Sequence, residues 1–305
     1  MADNPPKIAP VIAGPTAVGK STVAELLAER IGGEIISADA RQLYRGMAIG
    51  TAAATDSNIP THLTGVLYPK KRPTAAWWSE HAAEIMREMR SRGKFPIIVG
   101  GTGLYIEALT EGIFDAPAAD FGFREELQNR AESGENLHAE LKKSDPEAAE
   151  RIHPNNLVRI IRALEIYHIT GKPISEHFAA TRSPVPDWEF AKFYLTRPRE
   201  ELYDRIERRA RQMLESGWIE EVRKLLESGV SPDDPGMEAI GYRQIADYLA
   251  GKVPRRETLE TIVRETRRYA KRQMTWFRNR SGFSRIDLSK ISASAAAERI
   301  RAAIA

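Results

Sequence analysis

The run from Gly14 to Ser21 has the composition of a phosphate-binding loop. Its sequence, G-P-T-A-V-G-K-S, matches the pattern G-x-x-x-x-G-K-[ST] at every fixed position. Glycines let several backbone N–H groups point into one concavity, and the N-terminus of the next helix adds partial positive charge. The lysine suits the terminal phosphates and the Ser21 hydroxyl suits Mg²⁺. The sequence therefore predicts a site for a phosphate-bearing ligand at Gly14, Pro15, Thr16, Ala17, Val18, Gly19, Lys20 and Ser21.

Two other polar runs each follow an apolar, strand-like segment. The run D-A-R-Q at 39–42 comes after I-I-S-A, and the run G-G-T-G at 100–103 comes after P-I-I-V. A carboxylate at Asp39 can bind metal or act as a general base, and arginine and glutamine commonly read base edges. Two plainer interpretations stay open. For the first run, Asp39 only caps the segment that follows. For the second run, the glycines reflect only close backbone packing.

A basic segment near the C-terminus offers a surface for nucleic acid. Residues 264–280 hold seven arginines and lysines against one acid, Glu265, although the net charge of the chain is only +3. The segment continues a predicted helix over 257–278 with an apolar face, and basic side chains along a helix can follow an RNA backbone. A solvated charged face is the alternative, and Trp276 suits either base stacking or core packing.

The elements that must position these residues alternate between strand and helix. Short apolar strands are predicted at 8–13, 34–38, 94–99 and 191–195. Alternation of this kind indicates a parallel α/β sheet, whose ligand site lies at the carboxyl ends of the strands. Residues 120–180 give only helix signals, and the chain after Pro235 is predicted to be helical. We therefore predict a P-loop parallel sheet flanked by helices, built from 1–115 and 188–305, with an inserted all-helical domain at 116–187.

Composition limits the remaining possibilities. The 305 residues are 42% hydrophobic and 29% charged, as in an ordinary folded protein, and no apolar run approaches the roughly 18 residues of a membrane span. The absence of cysteine excludes disulfides, thiolate metal sites and cysteine nucleophiles, and favours the cytoplasm. The six histidines show no spacing typical of metal ligands. We expect a cytoplasmic monomer without a membrane partner.

Taken in order, several runs resemble bacterial tRNA dimethylallyltransferases, also called tRNA isopentenyltransferases. The resemblance extends from about residue 8 to residue 280. It is carried by the phosphate loop and by the runs at 37–46, 99–105, 162–165, 241–244 and 271–278, the last reading K-R-Q-M-T-W-F-R. It implies transfer of the dimethylallyl group of dimethylallyl diphosphate to the exocyclic amine of the adenine just 3′ of the anticodon. Diphosphate is released, Mg²⁺ is the cofactor, and the tRNA anticodon stem-loop is the partner.

The resemblance also assigns roles position by position. Residues 16–21 match the donor-diphosphate site, and Arg209 matches an arginine that contacts the diphosphate. Asp39 matches the general base and Thr102 a threonine beside the reacting centre, so these two and Arg209 form the predicted catalytic set. The positions that match tRNA contacts are Asp39, Ala40, Arg41, Gln42, Thr102, Arg124, Val158, Arg159, Arg162, Ile240, Gly241, Tyr242, Arg243, Lys271, Arg272, Gln273, Trp276 and Arg278.

The chain departs from that family in two places, and other functions stay open. The family usually has serine where this chain has Ala40, and residues 67–78 are unlike the usual sequence. A small-molecule kinase or an adenylate isopentenyltransferase would share the phosphate loop. The inserted helical region and the basic helix favour a macromolecular acceptor over both. A non-enzymatic RNA-binding module would not need a phosphate loop faced by a carboxylate.

Overall fold

The chain forms two compact units. The computed structural model describes residues 8–53, 57–114 and 116–304. One unit comprises Met1–Thr110 and Pro184–Ala305, and the other comprises Glu111–Ser183. These boundaries fall a few residues before the predicted ones at 115/116 and 187/188. The first boundary lies earlier because a helix of the larger unit ends at Thr110. The second lies earlier because Val185 and Trp188, which lead into the next strand, are already buried.

A parallel sheet forms the centre of the larger unit. Its six strands in the described residues have the order β3-β2-β4-β1-β5-β6, and every pair is parallel. The strands are β1 (Ile8–Ala13), β2 (Gly33–Ala38), β3 (Thr61–His62), β4 (Phe95–Gly100), β5 (Glu189–Thr196) and β6 (Phe283–Asp287). The central strands β2, β4 and β1 are buried almost throughout, as expected of strands covered on both faces.

Helices connect and flank these strands. In the described part of the chain they are α1 (Lys20–Ile31), α2 (Ala75–Ser91), α3 (Gly103–Thr110), α4 (Phe121–Glu132), α5 (Leu137–Ser144), α6 (Pro146–Arg151), α7 (Leu157–Thr170), α8 (Ile174–Ala180), α9 (Arg199–Glu215), α10 (Trp218–Glu227), α11 (Tyr242–Leu249), α12 (Arg255–Arg278) and α13 (Ala293–Ile304). A short 3₁₀ helix, Pro235–Glu238, precedes α11. The predicted α/β class, a parallel sheet with flanking helices, is confirmed.

The prediction that the chain is helical after Pro235 is wrong at one element. Strand β6 pairs in parallel with β5, from Lys192 opposite Phe283 to Thr196 opposite Asp287. Within β6 only Ile286 is buried, so this edge strand has no run of apolar residues that would identify it. Strand β3 was missed as well, because two residues are too few to produce a pattern.

The smaller unit, Glu111–Ser183, consists of helices α4 to α8. Four of these helices begin at a polar side chain that accepts a hydrogen bond from the backbone N–H three residues further on, which stabilises the first turn. The capping residues are Asp120, Asn136, Asp145 and Asn156. The apolar faces of the helices meet in a core around Leu164. No strand occurs among the described residues of this unit.

Candidate active site

The phosphate loop joins β1 to α1 in a conformation that needs its glycine. A Cβ atom at Gly14 would lie 2.8 Å from the carbonyl oxygen of Leu195, and the φ of Gly14 is 154°. The Lys20 ammonium folds over the loop and donates to the carbonyl oxygens of Gly14 and Pro15, each at 2.9 Å. Burial lowers the pKa of Lys20 to about 8, with the nearby Asp39 carboxylate opposing this shift.

Arginines of α9 approach the same loop from the other side. Arg205 donates through Nε to the carbonyl oxygen of Ala17 at 2.8 Å. Arg209 lies one helical turn further and donates to the Thr16 hydroxyl at 3.4 Å. Burial lowers the pKa of Arg209 and of Arg205. Of these arginines only Arg209 was predicted from the sequence, although the spacing R-x-x-R-R of residues 205, 208 and 209 indicates all three.

A basic cavity of about 540 Å³ opens beside the loop. The charged side chains that line it are Lys20, Glu25, Asp39, Arg205, Arg208 and Arg209. Four of these are positive and two are negative. Together with the loop N–H groups and the start of α1, this lining suits a diphosphate.

A second cavity of about 240 Å³ adjoins the first. Both cavities are lined by Thr16, Ala17, Asp39, Thr51 and Arg209. The rest of the second lining is a mixture of apolar side chains, such as Ile206 and Ile240, and polar ones, among them Arg41, Tyr269 and Arg272. Asp39 therefore lies at the boundary between an anion-binding space and one whose lining mixes apolar and charged side chains.

Asp39 follows directly after β2, as predicted. Its Oδ1 accepts a hydrogen bond from the backbone N–H of Arg41 at 2.9 Å, so the carboxylate also caps the turn that follows. Trp78, from the segment that departs from the family, is fully buried and donates its indole N–H to the carbonyl oxygen of Ser37 at 3.0 Å. The turn that carries Asp39 is thus supported on the strand side as well as within itself.

Thr102 connects this turn to the end of β4. Its backbone N–H donates to the carbonyl oxygen of Ala38, and its hydroxyl accepts from the backbone N–H of Ala40, both at 3.0 Å. A Cβ at Gly103 would lie 2.5 Å from the Trp276 ring, and one at Gly101 would overlap the Gln273 side chain. Close packing therefore explains these glycines, which was one of the two interpretations left open by the sequence.

Three side chains predicted to contact tRNA form hydrogen bonds within the protein. Tyr242 is fully buried and donates its hydroxyl proton to Glu221 at 2.7 Å. Gln273 is 5% exposed, and both ends of its amide are hydrogen-bonded to backbone. Gln42 accepts from the Ser37 hydroxyl and donates to loop carbonyl oxygens, so its amide is not free to read a base.

Gly241, another position predicted to contact tRNA, is closely packed. It is buried with φ of 101°, and a Cβ there would overlap the indole of Trp218. The same indole fills the space beside Gly50. Gly241 therefore serves close packing around Trp218, a residue that the sequence analysis did not single out.

The remaining predicted tRNA contacts of the larger unit are accessible to different degrees. The exposed residues are Arg243, Lys271, Arg272 and Arg278, and the half-buried ones are Ala40, Arg41, Ile240 and Trp276. The Arg280 guanidinium lies 4.4 Å from the centroid of the Trp276 ring. Trp276 thus packs against Gly103 on one side and the Arg280 cation on another, so its ring makes internal packing contacts.

In the smaller unit, two predicted arginines share one carboxylate. Glu165 has a fully buried side chain that accepts hydrogen bonds from Arg124 at 2.8 Å and from Arg162 at 2.5 Å. Burial acts to raise the pKa of Glu165, but the bonds from both arginines outweigh it, so the pKa is lowered. Val158 is 81% exposed and Arg159 is exposed too. These two residues and the two arginines bonded to Glu165 are the positions of this unit that were predicted to contact tRNA.

The described residues contain no group of three or more histidines and carboxylates that could hold a metal ion. The Ser21 hydroxyl is exposed at the start of α1, and Asp39 lines the same cavity. Mg²⁺ commonly takes only one or two protein oxygens and completes its shell with phosphate oxygens and water. The oxygens present therefore fit Mg²⁺ that arrives with a diphosphate. Among the helices of the described chain, none is both long enough and apolar enough to span a membrane.

Comparison of the sequence with known families agrees with this geometry. A family model described as IPP transferase matches residues 42–280, and one described as isopentenyl transferase matches residues 8–73. The tRNA dimethylallyltransferase of Geobacter sulfurreducens is 46% identical over 273 residues, which is 88% of each chain. That of Halalkalibacterium halodurans is 42% identical over 286 residues, or 92% of this chain and 91% of its own.

Solved structures extend the comparison to three dimensions. The tRNA isopentenylpyrophosphate transferase of Bacillus halodurans has a TM-score of 0.72 at 40% identity, covering 98% of this chain and 95% of that one. A eukaryotic dimethylallyltransferase acting on tRNA has a TM-score of 0.73 at 28% identity, covering 96% and 77%. Since a family model spans most of the sequence and relatives above 40% identity cover nearly nine-tenths of it, the chain belongs to the IPP transferase family.

Proposed function

We propose that this chain transfers the dimethylallyl group of dimethylallyl diphosphate to the exocyclic amine of the adenine 3′-adjacent to the anticodon in tRNA. One observation carries the proposal. Asp39 lies on the shared wall of two adjoining cavities, one basic and one mixed. A transfer between an anionic donor and a neutral base needs a proton acceptor at that position.

The basic cavity holds the donor diphosphate. When the bond between the allylic carbon and the diphosphate oxygen breaks, both electrons remain with the diphosphate, and its charge grows. Lys20, Arg205 and Arg209 lie on the cavity wall to stabilise that charge, together with the loop N–H groups. The Ser21 hydroxyl would hold Mg²⁺, which when bound neutralises part of the charge on the leaving group.

The adenine occupies the second cavity. As its exocyclic nitrogen forms the bond to carbon, the Asp39 carboxylate takes a proton from that nitrogen. The hydrogen bond from Arg41 N–H orients the carboxylate, and the contact between Thr102 and Ala40 holds the turn. Because Ala40 replaces the family's usual serine, the base is recognised without a hydroxyl at that position. Such a base must leave its stack, which the unpaired anticodon loop permits.

The exposed basic residues bind the tRNA backbone. Lys271, Arg272 and Arg278 are exposed on α12, and Arg272 also lines the second cavity. In the smaller unit, exposed Arg159 and the half-exposed pair Arg124 and Arg162 offer further phosphate contacts. The partner is the anticodon stem-loop. The enzyme acts as a monomer in the cytoplasm, a compartment that agrees with the cysteine-free sequence.

Incubation with Mg²⁺ and labelled dimethylallyl diphosphate tests the proposal. The acceptors are an unmodified tRNA with adenine 3′ of the anticodon, the same tRNA with guanine there, and AMP. We expect label in the first alone. Label in AMP would indicate an adenylate isopentenyltransferase, and ATP turnover without any allyl transfer would indicate a kinase. Either of those results contradicts the proposal.

A further inference from the structure

One face of α12 touches the loops of the active site. Tyr269, Gln273 and Trp276 are spaced by four and three residues and so share a face of the helix. Tyr269 interacts with the side chain of Thr102, and Trp276 packs against Gly103. Gln273, between them, reaches two loops at once.

The Gln273 amide joins the phosphate loop to the loop after β4. Its Oε1 accepts the backbone N–H of Thr16 at 2.8 Å, and its Nε2 donates to the carbonyl oxygen of Gly101 at 3.1 Å. A glutamine places an acceptor and two donors at the end of one side chain, which neither glutamate nor leucine does. Since the side chain is 5% exposed, water cannot readily replace either bond.

The loop after β4 is in turn bonded to the turn that carries Asp39. Strand β4 lies between β2 and β1 in the sheet, so its loop lies between the Asp39 turn and the phosphate loop. Thr102 makes two hydrogen bonds to residues 38 and 40, on either side of Asp39. A continuous series of contacts therefore runs from Thr16 through Gln273, Gly101 and Thr102 to Asp39.

We infer that Gln273 is a positioning residue, which fixes the separation between the diphosphate held by the phosphate loop and the proton-accepting carboxylate of Asp39. This inference rests on the proposed transfer reaction for its kinetic consequence. Its structural part, the attachment of the phosphate loop to the β4 loop, stands without it. A shift of about 1 Å between reacting groups can reduce a rate by about 100-fold.

Replacing Gln273→Leu keeps a side chain of similar size and removes both hydrogen bonds. We expect kcat for allyl transfer to fall about 10- to 100-fold with tRNA affinity unchanged, and affinity for inorganic pyrophosphate with Mg²⁺ to weaken. The matched control is Gln128→Leu, at an exposed glutamine of α4, which should leave all three quantities unchanged. If Gln273→Leu weakens tRNA binding and leaves kcat and pyrophosphate binding intact, Gln273 contacts RNA and the inference is wrong.

A second experiment separates positioning from a general loss of folding. A Cβ at Gly101 would overlap the Gln273 amide, whereas its next neighbour, the Gly14 carbonyl oxygen, would be 3.2 Å away. Gly101→Ala should therefore be impaired through its collision with Gln273, and Gln273→Ala should remove the obstacle. We expect the double variant to bind pyrophosphate no worse than Gln273→Ala alone. Additive losses would show that the two positions do not interact and would overturn the inference.

The pyrophosphate measurements also distinguish this inference from the proposed function. If the wild-type protein fails to transfer the allyl group, the proposed reaction is wrong. The coupling of Gly101 and Gln273 in pyrophosphate affinity can still be measured, and its absence would reject the attachment of the two loops on its own.

Discussion

The ion pair of Glu34 makes a contribution to the free energy of unfolding that depends on pH. Glu34 lies on β2, five residues before Asp39, and its side chain is 6% exposed. Arg92 donates to both of its oxygens, at 2.7 and 3.0 Å, and the His62 ring lies 2.8 Å from one of them. These bonds, chiefly those from Arg92, lower the pKa of Glu34 from 4.5 to about 2.

The shift converts into a free energy of unfolding that depends on pH. A difference of about 2.5 pKa units is worth about 3 kcal/mol, because one unit corresponds to about 1.4 kcal/mol. The folded-state pKa is the lower one, so the contribution is complete well above 4.5 and is lost as the pH falls towards 2. At pH 3 somewhat less than half of it should remain.

Glu34→Gln keeps the shape and removes the charge. We expect it to lower the free energy of unfolding by about 3 kcal/mol at pH 7 and by about half of that at pH 3. At the lower pH the ion pair of the wild-type Glu34 contributes less to stability. Urea titrations followed by tryptophan fluorescence measure this, because all five tryptophans lie in the larger unit. A difference between variant and wild type that stays constant from pH 7 to pH 3 would refute the assignment of the ion pair as the cause.

Four further changes test other parts of the molecule. Asp39→Asn should reduce allyl transfer by about 10²- to 10⁴-fold while donor and tRNA binding persist, in a single-turnover assay; unchanged turnover would remove Asp39 from the mechanism. Lys20→Met should weaken pyrophosphate binding at pH 7 by calorimetry, and the difference in affinity from wild type should narrow as pH rises past 8, where Lys20 loses its proton; a difference that is the same at pH 9 as at pH 7 would contradict this. Arg272→Ala should reduce the slope of log affinity for tRNA against log salt by about 0.7 to 0.9, unlike a substitution away from the RNA. Glu165→Leu should destabilise Glu111–Ser183 by about 2–3 kcal/mol, seen as faster hydrogen exchange in α4 and α7; unchanged exchange there would mean that its two arginines do not depend on it.

The phosphate loop and the central strands were predictable because their signals are local. Gly14, Lys20 and Ser21 lie within eight residues of one another, and the fixed spacing is itself the physical requirement of the site. The buried strands read as apolar runs because a parallel sheet is covered on both faces. β6 gave no such run, since an edge strand exposes much of its length.

The second half of the site could not be read in the same way, because its contacts join distant parts of the chain. The hydrogen bond between Thr16 and Gln273 spans 257 residues. Tyr269, on the same helix, lines the second cavity. The sequence does not indicate whether a tyrosine within a basic helix faces a cavity or the solvent. Arg205 and Arg208, in contrast, are indicated by their helical spacing relative to Arg209.

The buried positions Tyr242 and Gln273 show why motif membership does not fix a residue's role. Tyr242 and Gln273 offer a donor or an acceptor, and that is what either RNA contact or internal bonding requires. Burial decides between the two, and here burial depends on partners far away in sequence. Trp218 occupies the space beside Gly241, and Gly101 leaves room for the Gln273 amide. The lack of a Cβ that lets the loops come close also leaves room for these polar side chains to turn inward, whereas Lys271 and Arg272 stay exposed on α12.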